Sequence, residues 1–331
     1  MRIESVGVVG GGAWGTALAQ TLRLAGRDVS LWAREPETVA EINDRHVNSA
    51  YLPGVALDHG VRATTSLAEI AAQDAVLMVA PAQHVRAMAT ELQGLMRPGQ
   101  PLVNCAKGIE RSTGKLLSDV LGAMLPDTRR AVLSGPSFAT DVARGLPAAL
   151  TIASPDETLG QLLAERLGYR HFRLYWTDDA TGVELGGSVK NVLAIAAGIV
   201  EGKGLGSSAH AALVARGFSE LRRFGVAMGA RPETLMGLSG LGDLVLTCGS
   251  PQSRNMSLGR ALGQGEKLED VLGNRRAVTE GVYTAQAVVS LARGKGIEMP
   301  IAEAVAGIVE GRVTASDAIA GLLARPFKAE G

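Results

Sequence analysis

A glycine run near the start of the chain constrains the fold more than any other feature. Residues 10–15 spell G-G-G-A-W-G, a G-x-G-x-x-G pattern between an apolar run of strand length, Ile3–Val9, and a segment of helical composition, Thr16–Ala25. Glycines at such a turn let the backbone approach a pyrophosphate, and the N–H groups that open the helix face the anion. A purely structural turn would use the same residues. The position between strand and helix nevertheless favours a dinucleotide-binding βαβ unit.

The remainder of the chain extends this unit and then changes character. Three further apolar runs of strand length, and three less regular ones after them, alternate with helix-like segments, which indicates a mostly parallel sheet. After Thr177 the strand signals fade and helical segments follow one another, beginning with Val183–Val200. We therefore predict an α/β protein with an N-terminal Rossmann-type, mostly parallel sheet over residues 1–180 and an all-helical C-terminal domain over residues 181–331.

Composition excludes several classes of partner. The 331 residues carry 33 Lys plus Arg and 33 Asp plus Glu, so no nucleic acid or polybasic membrane partner is expected. Cys105 and Cys248 are too few for a disulfide framework or a metal site, and both are interpreted as reduced core thiols in strand-like contexts. With no leader-like start and no uncharged apolar run of about 20 residues, we expect a cytoplasmic protein without membrane insertion.

The residues after the second predicted strand bear on which dinucleotide binds. The ribose-reading position falls about 20 residues after the glycine run, where the chain has Arg34 followed by Glu35. An arginine there suits a 2′-phosphate and also stacks on adenine. Glu35 has the reach to bind the same ribose, and Arg34 is also compatible with a solvated surface position. We favour NADPH over NADH.

Two turns at the carboxyl edge of the sheet carry polar groups. Lys107 follows the apolar run Leu102–Ala106, at the edge where open α/β sheets bind ligands; a surface lysine is the alternative. Ser137 lies in a Gly-Pro-Ser turn as a predicted helix N-cap. A serine there either only caps the helix, by accepting a hydrogen bond from one of its N–H groups, or lies in a turn whose N–H groups also bind an anion.

Lys190 stands out because it interrupts the start of an apolar helix. The residues that follow it, Val192–Val200, are almost wholly apolar, so the helix is expected to be buried. Burial or a neighbouring cation lowers the pKa of a lysine toward neutrality, which suits a general acid or base. A lysine that extends from the helix end to solvent is the alternative.

A second cluster of polar groups lies far along the chain, in residues 237–255. A glycine-rich turn is followed by Asp243, and a short apolar run then leads to Thr247. A second, polar turn contains Ser253, Arg254 and Asn255. A carboxylate would orient the Lys190 ammonium, and a guanidinium matches a phosphate. The set indicates a site that binds a small phosphate beside a reacting carbonyl.

These motifs together resemble the bacterial NAD(P)-dependent glycerol-3-phosphate dehydrogenases, nearly from end to end. The resemblance rests on G-G-G-A-W-G-T-A-L-A, A-K-G at Lys107, G-P-S-F-A at Ser137, V-K-N at Lys190, A-A-L-V-A-R-G, G-L-G-D-L-V-L-T-C at Asp243, S-R-N at Arg254 and V-T-E-G-V at Glu280. It implies reversible reduction of dihydroxyacetone phosphate to sn-glycerol 3-phosphate with NADPH or NADH, a step that feeds glycerophospholipid synthesis.

The resemblance and the motifs together give the predicted site residues. The catalytic set has Lys190 as acid/base with Lys107 and Asp243. The predicted substrate contacts are Lys107, Gly135, Ser137, Lys190, Asp243, Thr247, Ser253, Arg254 and Asn255. The predicted cofactor contacts are Gly10, Gly12, Ala13, Trp14, Gly15, Arg34, Lys107, Ala139, Arg254, Val278 and Glu280. No metal is expected.

Two other functions stay open at this point. A 3-hydroxyacid or 6-phosphogluconate type of dehydrogenase would also use a lysine on the first interdomain helix, and a dinucleotide sensor would use the glycine run without turnover. A homodimer is also open, since apolar late helices such as Ala302–Val309 would serve either a dimer contact or the core.

Overall fold

The computed structural model describes residues 2–273 and 279–326. One sheet organises the first half of the chain, with strand order β3-β2-β1-β4-β5-β6-β7-β8. All neighbouring strands are parallel except β6 and β7, which are antiparallel. The strands are β1 (Ser5–Val9), β2 (Asp28–Trp32), β3 (Val61–Thr64), β4 (Ala75–Met78), β5 (Pro101–Asn104), β6 (Arg129–Ser134), β7 (Ala148–Ala153) and β8 (Phe172–Thr177).

Helices cover the sheet and form the second half of the described chain. Those between the strands are α1 (Ala13–Leu24), α2 (Pro36–Arg45), α3 (Leu67–Ala71), α4 (Val85–Glu91), α5 (Leu117–Met124), α6 (Ala139–Ala143) and α7 (Glu157–Leu167). Those that follow β8 are α8 (Ala180–Gly202), α9 (Gly206–Ala227), α10 (Pro232–Met236), α11 (Asp243–Cys248), α12 (Arg254–Gly263), α13 (Leu268–Gly273), α14 (Glu280–Gly294), α15 (Pro300–Val309) and α16 (Ala315–Leu323).

The predicted fold class is confirmed: a mostly parallel, Rossmann-type sheet is followed by helices alone. The change from strand to helix falls between Thr177 and Ala180. The division of the chain into domains at residue 180 stays a prediction. One local expectation was wrong, because Cys248 ends a helix and does not lie in a strand. The short apolar run at residues 244–246 fits a buried strand and a short buried helix equally well, so the sequence could not separate them.

The longest described helix, α8, is the core of the helical half. From Gly182 to Val200 every residue is buried, and its apolar side chains join one cluster with those of α9, α12, α14 and α15. The helix is long and apolar enough to cross a membrane, but the whole apolar window is buried inside the protein. It is therefore a core helix. The apolar face of α15, including Ala302 and Val305, packs into the same cluster.

Glycines let α8 and α12 pack with their backbones in contact. A Cβ atom added at Gly198 or Gly202 of α8 would overlap backbone atoms of Met256 or Arg260 in α12. A Cβ at Gly259 would overlap the carbonyl oxygen of Ile195 in return. Each helix thus presents two glycines four residues apart, the small-residue spacing that permits close helix packing. This crossing fixes α12, and the polar turn before it, against α8.

The crossing predicts a contrast between two glycine-to-alanine substitutions. Gly259→Ala should lower the free energy of unfolding by about 1–3 kcal/mol, because the added methyl has no space. Gly321→Ala, within α16, places a methyl where no atom lies within 4 Å and should raise stability by up to about 1 kcal/mol through helix propensity. Urea denaturation midpoints measure both; equal shifts would contradict the backbone-contact interpretation.

Candidate active site

The glycine run forms the turn between β1 and α1, and its glycines have different roles. Gly10 has a φ of 127°, and a Cβ there would lie 2.9 Å from the Val79 carbonyl oxygen. A Cβ at Gly15 would overlap the Gly10 carbonyl oxygen, whereas one at Gly12 meets no atom within 4 Å. Gly10 and Gly15 therefore shape the turn, and Gly12, the N-cap of α1, borders open space. That space beside free helical N–H groups fits a pyrophosphate.

The residues after β4 and the start of α14 lie near the glycine run, at the carboxyl edge of the sheet. Gly10 follows β1, and Ala82 follows the neighbouring β4. The Glu280 carboxylate, at the first residue of α14, accepts a hydrogen bond from the Ala82 backbone N–H at 3.1 Å. Burial raises the pKa of Glu280, against the effect of that hydrogen bond and of nearby Arg254. The start of α14 thus lies where a dinucleotide on this edge would pass.

A buried cluster of four side chains is the chemical centre of the structure. Asp243 places one carboxylate oxygen against the Lys190 ammonium and the other 2.7 Å from the Lys107 ammonium. Lys190 also donates to the Thr247 hydroxyl at 2.9 Å. Asp243 and Lys190 side chains are only 1% and 8% exposed, and Lys107 is 17% exposed. We call Lys107, Lys190, Asp243 and Thr247 the two-lysine cluster.

The cluster forms because three elements converge. Lys107 follows β5, Lys190 lies in α8, and Asp243 opens α11. One helical turn brings Thr247 over Asp243, and its hydroxyl donates to the Asp243 carbonyl oxygen at 2.6 Å. The hydroxyl oxygen is thereby left to accept from Lys190, so α11 supplies two groups to one ammonium.

The environment of Lys190 prepares it for proton transfer near neutral pH. Burial lowers the pKa of Lys190 to about 7, and the nearby Lys107 charge acts in the same direction, while Asp243 opposes both. An amine with this pKa exists in both protonation states at pH 7, which suits a general acid or base. Its hydrogen bonds to Asp243 and Thr247 fix the position of the amine.

The turn after β6 differs from its prediction in one respect. Gly135 has a φ of 154°, and its carbonyl oxygen accepts from Lys107 at 3.3 Å and from the Ser137 hydroxyl at 3.0 Å. The predicted N-cap role of Ser137 was wrong: the N-cap of α6 is Phe138. The hydroxyl is already used by the tight glycine turn, so it does not cap the helix. Gly135 and Ser137 nevertheless lie beside Lys107.

The polar turn before α12 is held close to Lys190. Ser253 caps α12 by accepting from the Met256 backbone N–H at 3.2 Å. The Asn255 amide donates to Asn191, the residue after Lys190, at 3.0 Å and accepts from the Gly281 N–H at 3.0 Å. These bonds place the α12 N-terminus beside the two-lysine cluster. They also use one hydrogen-bond donor and the acceptor oxygen of the Asn255 amide. Contact between Asn255 and the substrate stays a prediction.

The remaining predicted cofactor contacts occupy separate positions. Arg34 follows β2 with its side chain 77% exposed and donates twice to one oxygen of Glu35, at 3.0 and 2.7 Å. Ala139 opens α6, which packs on α1, where Ala13 is the first residue. The Trp14 indole N–H is buried and has no hydrogen-bond partner within residues 2–273 and 279–326. Val278 lies outside the described residues.

Sequence reasoning missed two side chains that shape the site. Asn191 joins α8 to α12 through Asn255, and Glu184 joins α8 to the sheet half through Ser118. Both are buried polar residues in a helix whose buried side chains are mostly apolar. That contrast was a usable signal, since buried polar side chains need specific partners.

Comparisons with known proteins match both halves of the chain to one family. Residues 5–160 match the family model described as NAD-dependent glycerol-3-phosphate dehydrogenase N-terminus. Residues 179–320 match the corresponding C-terminus model. The two matches cover the glycine run and the two-lysine cluster.

Individual relatives agree with the family models over full length. A glycerol-3-phosphate dehydrogenase [NAD(P)+] of Parvibaculum lavamentivorans is 60% identical over 330 residues, covering 100% of this chain and 99% of the relative. The enzyme of the same name from Caulobacter vibrioides is 58% identical with both chains fully covered. The crystal structure of a Coxiella burnetii glycerol-3-phosphate dehydrogenase superposes with a TM-score of 0.93 at 38% identity, covering 98% and 99% of the two chains.

The two-lysine cluster predicts opposite shifts in the pKa of Lys190 from two substitutions. Asp243→Asn removes the charge that favours the ammonium and should lower the pKa below about 7. Lys107→Met removes a like charge and should raise it. The pH dependence of Lys190 modification by an amine-selective reagent, followed by mass spectrometry, measures both. Shifts in the same direction would show that Lys190 does not sense these two charges separately.

Proposed function

The chain belongs to the NAD-dependent glycerol-3-phosphate dehydrogenase family, and from this premise we propose how its own residues carry out the reaction. It is an NAD(P)-dependent oxidoreductase of the glycerol-3-phosphate dehydrogenase type. Its reaction is the reversible reduction of dihydroxyacetone phosphate to sn-glycerol 3-phosphate. The observation that carries the proposal for the chemical step is the buried Lys190 amine held by Asp243 and Thr247.

Lys190 is the general acid in reduction and the general base in oxidation. A nicotinamide cofactor held by the glycine run would supply the hydride for the ketone carbon, and would take it back in the reverse direction. Charge that develops on the carbonyl oxygen is met by the Lys190 ammonium, which gives up its proton to that oxygen. A pKa of about 7 keeps both directions accessible at neutral pH.

The other members of the two-lysine cluster orient Lys190 and set its charge. Asp243 and Thr247 accept two of the three ammonium hydrogens, so the third is left to point toward the substrate. Lys107 binds the second Asp243 oxygen and stabilises negative charge on the substrate oxygen. Both lysines together make the cleft attractive to an anionic substrate.

The substrate phosphate binds at the N-terminus of α12. Support comes from the ten-residue length of α12 and its position beside Asn191, since the first N–H groups of a helix bind anions. Arg254, the first residue of α12, adds a planar guanidinium matched to phosphate oxygens. The cofactor pyrophosphate binds separately at Gly12, where the turn borders open space.

We extend the proposal to the cellular setting. The enzyme acts in the cytoplasm and supplies glycerol phosphate for glycerophospholipid synthesis; its two buried, free cysteines support a reducing compartment. A homodimer is part of the proposal, although the α15 face first considered for it lies in the core of the helical half.

The role of Lys190 predicts a loss of rate and a characteristic pH dependence. Lys190→Ala should lower kcat by about 10²–10⁴-fold while NADPH affinity stays unchanged. In the wild-type enzyme, kcat/KM for ketone reduction should fall as pH rises through about 7, because the reduction needs the protonated amine. For alcohol oxidation the dependence should reverse. Stopped-flow absorbance at 340 nm gives both profiles.

A matched control lies on the same helix. Lys203 is an exposed lysine at the C-cap of α8, so Lys203→Ala should leave rate and pH profile unchanged. Normal turnover by Lys190→Ala would remove Lys190 from the mechanism.

The Arg34–Glu35 pair predicts opposite changes in cofactor preference. Arg34→Ala should weaken NADPH binding by about tenfold, since a hydrogen bond to a charged group contributes about 1.5 kcal/mol, and leave NADH binding nearly unchanged. Glu35→Gln should strengthen NADPH binding, because it releases the guanidinium and removes a charge that repels a 2′-phosphate. Fluorescence titration with each cofactor measures the ratio; an unchanged ratio in both variants would exclude Arg34 from 2′-phosphate recognition.

A further inference from the structure

Glu184 is a buried carboxylate that the reaction as described does not use. It lies in α8, 2% exposed, six positions before Lys190. Its side chain leaves the helical half and reaches the sheet half, where the Ser118 backbone N–H and hydroxyl donate to it at 3.0 and 2.5 Å. A carboxylate buried this deeply costs free energy unless its partners are fixed.

The same carboxylate lies next to the segment that carries Lys107. The Asn104 amide, at the end of β5, donates to Glu184 at 3.4 Å and accepts from the Ala106 backbone N–H at 3.1 Å. One helical turn along α8, the Ser188 hydroxyl lies 3.2 Å from the Gly108 carbonyl oxygen and shares its one hydrogen between this atom and the Glu184 carbonyl oxygen at 2.7 Å. Residues 104–108 therefore contact α8 on both sides of Lys107.

We propose that Glu184 is a positioning residue: it fixes the Lys107 segment against α8 and so sets the separation of the two lysines that share the Asp243 carboxylate. The inference rests on the proposed function, in which both lysines act on one substrate oxygen. Because Lys190 is on α8 itself and Lys107 is on the sheet half, a bond between these halves controls their spacing. Burial raises the pKa of Glu184 to about 7, with the Ser118 bonds acting in the opposite direction.

Glu184→Gln tests the proposal, because it keeps the size of the side chain and removes its charge. At pH 8, where the carboxylate is mostly ionised, we expect kcat to fall between about 10-fold and 10²-fold, the range expected for misplacement of a catalytic group by about 1 Å. The KM for NADPH should stay unchanged. In a Lys107→Ala background the same substitution should cause almost no further loss, because Glu184 acts through Lys107.

Glu220→Gln is a matched control. Glu220 is also 2% exposed, accepts two backbone N–H bonds, from Ile301 at 2.8 Å and Ala302 at 3.2 Å, and has its pKa raised to about 7 by burial. Both of its partners belong to α15. Any loss of kcat in Glu220→Gln should therefore be the same with and without Lys107.

The outcomes separate the inference from the proposed function. An equal loss from Glu184→Gln in both backgrounds, or a wild-type kcat, would overturn the positioning role. If Glu184→Gln does not fold, Ser118→Ala removes one donor and leaves the carboxylate, and its smaller loss should likewise vanish without Lys107; a persistent loss would overturn the role. Absence of dihydroxyacetone phosphate reduction by the wild-type enzyme, or full activity of Lys190→Ala, would instead refute the proposed function.

Discussion

The burial of one positive charge, on Lys190, is the constraint from which the site's architecture follows. An ammonium removed from water needs a fixed counter-charge, and Asp243 supplies it from the first residue of α11. Lys107 binds the other carboxylate oxygen, which draws the end of β5 to the same point. The desolvation that would otherwise cost stability also lowers the pKa of Lys190 to about 7. Folding and proton transfer thus depend on the same contact.

Features set by local periodicity were predictable from the sequence. The β1–turn–α1 unit, the alternation of strands and helices, and the long apolar α8 were all visible, because strand and helix periods and glycine turns leave strong short-range signals. The residue types at Lys107, Lys190 and Asp243 also indicated acid/base chemistry. The family of the chain is confirmed, whereas the catalytic role of each of these residues stays a prediction.

What the sequence did not disclose depends on partners distant in the chain or on short segments. The run from Asp243 to Cys248 is too short to distinguish helix from strand, so its helical pairing of Asp243 with Thr247 was missed. Ser137 follows a glycine whose carbonyl oxygen takes its hydroxyl, and no local pattern reveals this. The four-residue β3 was also missed, because it is short and lies at the sheet edge.

The glycine-mediated crossing of α8 and α12 has a consequence for the rigidity of the site. Helices in contact through backbone atoms have no side-chain rotamers with which to absorb a displacement, so Lys190 and the α12 N-terminus behave as parts of one body. The glycine run at residues 10–15 lies between β1 and α1 and is not part of this crossing. We therefore expect hydrogen exchange to be slowest in α8 and α12 and faster in the loops outside this crossing.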